Sequence, residues 1–209
     1  MTAGFFMARF KMHPFISTMA NMLIIFGLVT YATKGVSFGA IDPTIPNIFI
    51  PQAGRFPMII LWAVVAIAVV WFIWNKTTFG KNMFAVGSNP EAANVSGVNV
   101  MRTTILVHTL AGCMYGITGF IESARIGSNQ ANTGLNYECD AIAACVIGGV
   151  SFVGGTGKIS GVVLGVFILR IIFVALQFLA VSQNMQYVIK GLIILIACAI
   201  DMRKYLVRK

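Results

Sequence analysis

Long apolar runs separated by short polar segments constrain this chain more than any other feature. The stretch from Pro57 to Trp74 holds no charged residue at all. In hydrocarbon a backbone N–H or C=O without a partner costs several kcal/mol, so a spanning segment must satisfy its own backbone. A helix does this in about 20 residues, whereas a barrel would show alternating segments of about ten, a pattern absent from the chain. Composition agrees: 58% of the 209 residues are hydrophobic and 10% are charged, against about 25% charged in soluble domains. The fold class is therefore all-α, a polytopic transmembrane helical bundle.

Six crossings are expected. They run from about Phe15 to Tyr31, Pro57 to Trp74, Thr103 to Ile121, Ala141 to Val153, Gly161 to Val181 and Gln186 to Ile200. The fourth is short for a span and is expected to be broken or re-entrant. Basic residues orient the set. Arg9 and Lys11, then Lys76, Lys81 and Arg102, then Lys158, then Arg203, Lys204, Arg208 and Lys209 all fall on one side if six crossings are counted. The positive-inside rule makes that side cytoplasmic and puts both termini there. The opposite loops, Ala32–Phe56 and Glu122–Asp140, carry most of the acidic residues.

The net charge of +9 thus reports topology, not a nucleic-acid surface, since no basic run is interleaved with aromatics. Cys113, Cys139, Cys145 and Cys198 form no CxxC pair and no zinc spacing with His13 or His108, so neither a disulfide framework nor a metal site is implied. The N-terminus, with Arg9 and Lys11 after its first apolar residues, lacks the order of a signal peptide.

Between the second and third runs lies a polar island, Asn75 to Asn99. It contains a helix-start signal in two possible registers: Ser88 as N-cap with Glu91 closing a capping box, or Asn89 as N-cap with Pro90 at the first helical position. Either register starts a helix near Pro90 that ends by Gly97. Helices shorter than about 12–15 residues are marginal alone in water, so this one suggests a part shaped for a partner.

Small residues recur at helical spacing. Gly157, Gly161 and Gly165 lead into the fifth run, and Gly112 and Gly116 sit in the third, faces on which another backbone can approach closely. The run Gly148 to Ser160 has the look of a phosphate loop but fails its pattern. With Gly157-Lys158 in place, Phe152 stands at the first glycine and Ile159 at the hydroxyl position. No nucleotide site is expected in this chain, and the glycines are read as permitting a break or tight turn.

Polar side chains inside apolar spans face the protein interior or a water-filled path. Asn21, His108, Arg170 and Gln177 are the candidates, with Arg170 and Gln177 two turns apart on one helical face. A path role for these stands beside inter-helix pairing or snorkelling, and His108 reads as a packed, hydrogen-bonded histidine. No acidic residue lies at mid-span for a proton relay; Glu122, Glu138 and Asp140 cluster at the outer ends, as solvated charges or as a docking surface. There is no Ser-His-Asp set, no HExxH and no carboxylate pair at helical spacing, so no enzyme activity is expected.

Several stretches carry a resemblance. Phe79-Gly80-Lys81-Asn82, Val86 to Ala93, Ser96 to Asn99, Asp140 to Ala144, Ile147 to Phe152, Gly154 to Gly157 and Lys190-Gly191 resemble the permease subunits of bacterial monosaccharide ABC importers. Within the ribose/galactose/xylose group, Tyr137 to Phe152 is similar to the galactose/methyl-galactoside permeases. The resemblance implies a single transmembrane permease domain over residues 1–209 and a cytoplasmic coupling loop over 75–99. Ser88, Asn89, Pro90, Glu91, Ala92 and Ala93 would engage a cytoplasmic ATPase that consumes the ATP, with no cofactor bound by this chain. It also implies an extracytoplasmic sugar-binding protein, a second permease subunit, and a place in the bacterial cell membrane. Permeases of that group are longer, and the match is to their C-terminal portion, so a split or truncated permease is expected. An ion-gradient-driven secondary transporter and a non-transporting membrane fragment are the competing readings; the sugar itself is not legible.

Overall fold

A computed structural model describes residues 2–37, 44, 52–53 and 56–206. Most of the Ala32–Phe56 loop, and Arg208 and Lys209 of the tail, lie outside the described residues. Nine helices occur among those described: α1 (Thr2–Phe10), α2 (Pro14–Thr33), α3 (Ile59–Lys76), α4 (Thr78–Ser88), α5 (Pro90–Val95), α6 (Val100–Ile126), α7 (Tyr137–Ile147), α8 (Ile159–Phe178) and α9 (Gln183–Leu206). Two two-residue strands, Gln52–Ala53 and Phe56–Pro57, pair antiparallel ahead of α3.

Five of these helices, α2, α3, α6, α8 and the Gln183–Arg203 part of α9, are long and apolar enough to cross a bilayer. They coincide with five of the six expected crossings, with ends shifted by a few residues. The fourth is different. Its sequence, Ala141–Val153, predicts a short or broken span, and the helix there, α7, ends at Ile147 after 11 residues. At 1.5 Å per residue it reaches about 16 Å, half of the roughly 30 Å of hydrocarbon. A turn-rich loop succeeds it, because Gly149, Gly154 and Gly155 adopt positive φ that a helix cannot continue through.

The chain divides into two compact units, residues 1–83 with 93–133 and residues 84–92 with 134–209. In the first, α1 lies against α6 and is tied to α2. A Cβ at Gly4 would stand 2.8 Å from His108 Cβ. Ser17 Oγ donates to Ala3 O at 3.1 Å, and Thr2 Oγ1 donates to Asn21 Oδ1 at 2.8 Å. His108 is packed as expected from sequence, its Nδ1 donating to Thr104 O at 2.8 Å.

The second unit is built on α7, α8 and α9. Its core is small: Ala143, Ala144 and Leu169, with Ile147, Phe173 and Ile194 packed around them. Glycines let α7 and α8 meet backbone to backbone. A Cβ at Gly148 would stand 2.5 Å from Gly161 O, and one at Gly165 would collide with Ala144 O. Gly161 and Gly165 thus form the close face that their spacing predicts. Gly157 does not share it, because α8 begins only at Ile159 and Gly157 belongs to the preceding loop, against Val150. Gly112 and Gly116 meet nothing within 4 Å of where a Cβ would lie, so the predicted packing contact is not made there among the described residues.

These contacts give a direct comparison. Gly165→Ala should destabilise the purified protein by about 1–3 kcal/mol, the usual range for overpacking. Gly116→Ala should be neutral, or stabilising by up to about 1 kcal/mol from helix propensity alone. Thermal unfolding of the two variants in the same detergent measures the difference.

Candidate functional site

The polar island folds into more helix than its sequence suggested. Thr77 Oγ1 accepts from Gly80 N at 3.1 Å and so caps α4 (Thr78–Ser88), an element absent from the sequence expectation. The signal was present in Thr77 with Phe79, Met83, Phe84 and Val86 at helical spacing, but the polarity of the island masked it. Between α4 and α5 the chain turns at Asn89. Of the two registers open in the sequence, the Asn89 one is formed. Asn89 Oδ1 accepts from Glu91 N at 2.9 Å and Ala92 N at 3.1 Å, with Pro90 first in the helix, where its missing N–H costs nothing. Ser88 is the last residue of α4 instead, its hydroxyl directed at Gly155.

At the other end, Gly97 has φ +85°, Val98 N donates to Ala93 O and Gly97 N to Asn94 O, each at 3.0 Å. This is a Schellman closure, which satisfies the last carbonyls of α5. Asn99 Oδ1 then accepts from Arg102 N at 2.9 Å and starts α6. A six-residue helix closed at both ends keeps its shape without a core. Glu91 sits in its first turn, where a negative charge suits the helix dipole. Ala93 is buried, while Pro90, Glu91 and Ala92 are exposed. Five of the six predicted coupling residues therefore lie in or directly cap one short element, and Ser88 adjoins it.

A second polar site lies within the unit of α7, α8 and α9. A cavity of about 180 Å³ is lined by Asn136, Asp140, Arg170, Gln177, Gln186 and Lys190 among others. Arg170 and Gln177, predicted to share a helical face, both line it. Asn21 does not join them; it belongs to the first unit and holds the Thr2 hydroxyl. Lys190 and Asp140 form an ion pair at 2.5 Å across α9 and α7, with Lys190 Nζ 5.3 Å from the Phe173 ring centroid and 5.6 Å from that of Tyr187. The sequence reads Asp140 as an outer-end charge, solvated or part of a docking surface; its partner is instead a lysine of the same unit. Glu122 likewise pairs with Arg125 one turn along α6.

Sequence reasoning missed Lys190 as a site residue, although a signal existed. Gln183, Gln186, Tyr187 and Lys190 follow one helical face at the start of α9. The chemistry the cavity offers is hydrogen bonding and stacking. Amides both donate and accept, Arg170 and Lys190 donate only, Asp140 accepts, and the tyrosines offer ring faces with a hydroxyl.

Residues 1–198 match the family described as branched-chain amino acid transport system / permease component. The chain is 48% identical to a galactose/methyl galactoside import permease protein of Treponema pallidum, over 99% of this chain and 40% of the relative. It is 44% identical to the protein of the same description in Escherichia coli K12, over 99% of this chain and 63% of the relative. With the L-arabinose transport system permease protein of Escherichia coli K12 it shares 39% identity over 96% of this chain and 61% of the relative. The chain thus spans from about two fifths to less than two thirds of the length of these relatives. No solved structure matches it.

The cap of α5 is separable from the rest of the site. Asn89→Ala should cost about 1 kcal/mol of local stability, the usual worth of an N-cap, while Asn89→Asp should keep it. Hydrogen exchange at the Glu91 and Ala92 amides should quicken about fivefold in the alanine variant and stay unchanged in the aspartate variant.

Proposed function

The chain belongs to the branched-chain amino acid transport system / permease component family, and from that premise we propose that it is the membrane-spanning part of an ATP-driven monosaccharide importer of the bacterial cell membrane. The observation that carries the reading is similarity running along the whole chain to permeases whose descriptions name galactose, methyl galactoside and L-arabinose. Those ligands are all small polyols, so the substrate class is a monosaccharide.

Two features of the geometry support a division of labour. The doubly closed helix Pro90–Val95 is exposed at every residue but Ala93 and joined by short turns to α4 and α6. It is suited to sit in a groove of a cytoplasmic ATPase and to hand the movement of that partner to the attached helices. Residues 75–99 then form the cytoplasmic coupling loop of one permease domain. The cavity holding Arg170 and Gln177 supplies part of the path, with amides to exchange hydrogen bonds with hydroxyls as a sugar loses its water. Asn21, in the other unit, would contribute to the path separately.

Under this reading the chain performs no bond chemistry and holds no cofactor; ATP is consumed by the partner. An extracytoplasmic sugar-binding protein delivers the ligand, and a second permease copy completes the path. We take the island, Lys158 and Arg203 to lie on the ATPase side, the side that the positive-inside rule assigns when six crossings are counted.

Uptake of a labelled monosaccharide tests the proposal in cells that produce the chain together with its ATPase and binding protein. Uptake should stop when ATP is depleted and persist when ion gradients are collapsed; the reverse result would identify a gradient-driven transporter. Replacing Glu91, Ala92 and Ala93 with arginine should reduce uptake to background while membrane insertion stays normal. Unchanged uptake would sink the coupling role of α5.

A further inference from the structure

The glycine run from Gly148 to Lys158 holds no nucleotide pattern, yet its turn is occupied. One backbone amide and one side-chain hydroxyl of the turn hold an anion. Here the anion is the protein's own. Asp201, in the last helix, accepts with Oδ2 both from Ser151 Oγ at 3.0 Å and from Phe152 N at 2.9 Å. Ser151 Oγ accepts in turn from Val153 N at 3.2 Å, Gly154 N donates to Ser151 O at 3.3 Å, and Ser151 N donates to Thr156 O at 3.2 Å. Ser151 is buried. The loop is a closed turn pinned from a position 50 residues away.

The outer side of that turn touches the residues just before the coupling helix. A Cβ at Gly154 would stand 2.6 Å from Gly87 O, and one at Gly87 would stand 2.9 Å from Gly155 N. A Cβ at Gly155 would stand 2.7 Å from Ser88 Cα. Gly154 and Gly155 have φ of +103° and +71°, a backbone that side-chain-bearing residues rarely adopt. Between Gly87 and the Gly154–Gly155 backbone the contact is backbone on backbone, and at Gly155 the short Ser88 side chain packs in as well, so a displacement of one surface is carried to the other. Gly87 and Ser88 lead directly into Asn89, the cap of α5. All of these residues belong to the unit formed by 84–92 and 134–209.

We propose that the Gly148–Lys158 turn is the seat of the coupling helix and that Asp201 is the positioning residue that holds this seat, tying the start of α5 to the far end of α9. The assignment of coupling to α5 rests on the function proposed above; the mechanical link does not. Asp201 acts as a hydrogen-bond acceptor at two donors, not as a charge offered to a partner. The residues run in series, from Asp201 to Ser151 and Phe152, to Gly154 and Gly155, to Gly87 and Ser88, and so to the cap.

The test separates acceptor from charge. In cells producing the assembled transporter, Asp201→Ala should lower sugar taken up per ATP hydrolysed about tenfold, the scale set by losing hydrogen bonds to a charged group. Protein level in the membrane should stay normal. Asp201→Asn, whose amide oxygen can accept the same two bonds, should keep most of the wild-type ratio, and Ser151→Ala should fall between. A wild-type ratio in Asp201→Ala would overturn the proposal. So would an Asn variant as poor as the Ala variant, which would make Asp201 a charge for a partner. A measurement independent of transport reads the link itself: amide hydrogen exchange across residues 87–92 and 152–154 of the purified chain. Exchange should accelerate in both segments for Asp201→Ala and in neither for Asp201→Asn. No acceleration over 87–92 would break the link, whether or not the chain imports sugar. Intact acceleration with no ATP-driven uptake by the wild-type assembly would overturn only the importer reading.

Discussion

The second unit depends on one kind of contact, the meeting of backbones where glycine leaves no side chain between them. Lipid tails are as apolar as leucine, so burying leucine gains helices nothing against each other; close approach and dispersion must hold them instead. The side chains reflect this. In α3, α6 and α9 none of the most apolar window is buried, and the core of the second unit is two alanines and a leucine. What fixes α7 is its approach to α8 at Gly148, Gly161 and Gly165. That approach matters because α7 is too short to cross alone. A helix of about 16 Å places one of its ends at depth, where polar groups are tolerated only if protein or water lines them. The first turn of α7 carries Asp140, and the ion pair with Lys190 and the cavity beside Arg170 adjoin it.

Much of this was legible in the chain. Five spans followed from apolar length, because the backbone constraint in lipid leaves no other reading of such runs. The weakness of the fourth showed in its shortness and its glycines. The start and stop of α5 were legible because caps are local: Asn89, Pro90 and Gly97 act within four residues of themselves. What the sequence left open there was the choice between Ser88 and Asn89. The fold settles it from outside the segment, for Ser88 completes α4 and lies against Gly155.

What could not be read was everything that joins distant residues. Asp201 stands in a basic tail segment and looks like one solvated charge among many, yet its partners are 49 and 50 residues upstream. Lys190 and Asp140 are likewise 50 residues apart in sequence. The glycine patterns divide in the same way. Gly161 and Gly165 pack as their spacing suggests, but Gly112 and Gly116, with the same spacing, face nothing within the described residues. Spacing reports that a face is smooth, and only the fold reports whether a neighbour covers it.

The cavity and the seat are carried on one element. Lys190 and Asp201 are eleven residues apart in α9, which is three turns and within about 20° of the same helical face. Lys190 reaches from that face to Asp140 at the start of α7, and Asp201 to the turn beyond the end of α7. Helix α9 therefore clamps α7 from both sides, at its first turn and just beyond its last. Between the two contacts the chain reads Gly191 and then Leu192 to Ile200 with no proline and no further glycine, so nothing there supplies the usual cause of a sharp kink. A helix without a hinge transmits a shift or rotation whole. On the proposed link, a force applied at Gly87 and Ser88 would reach Asp201 through the glycine turn, and a rotation of α9 would also turn Lys190 against Asp140. Of the contacts lining the cavity, the Lys190–Asp140 pair is the one that this link would move. A helix too short to cross the membrane is thus held at both ends by one that is long enough.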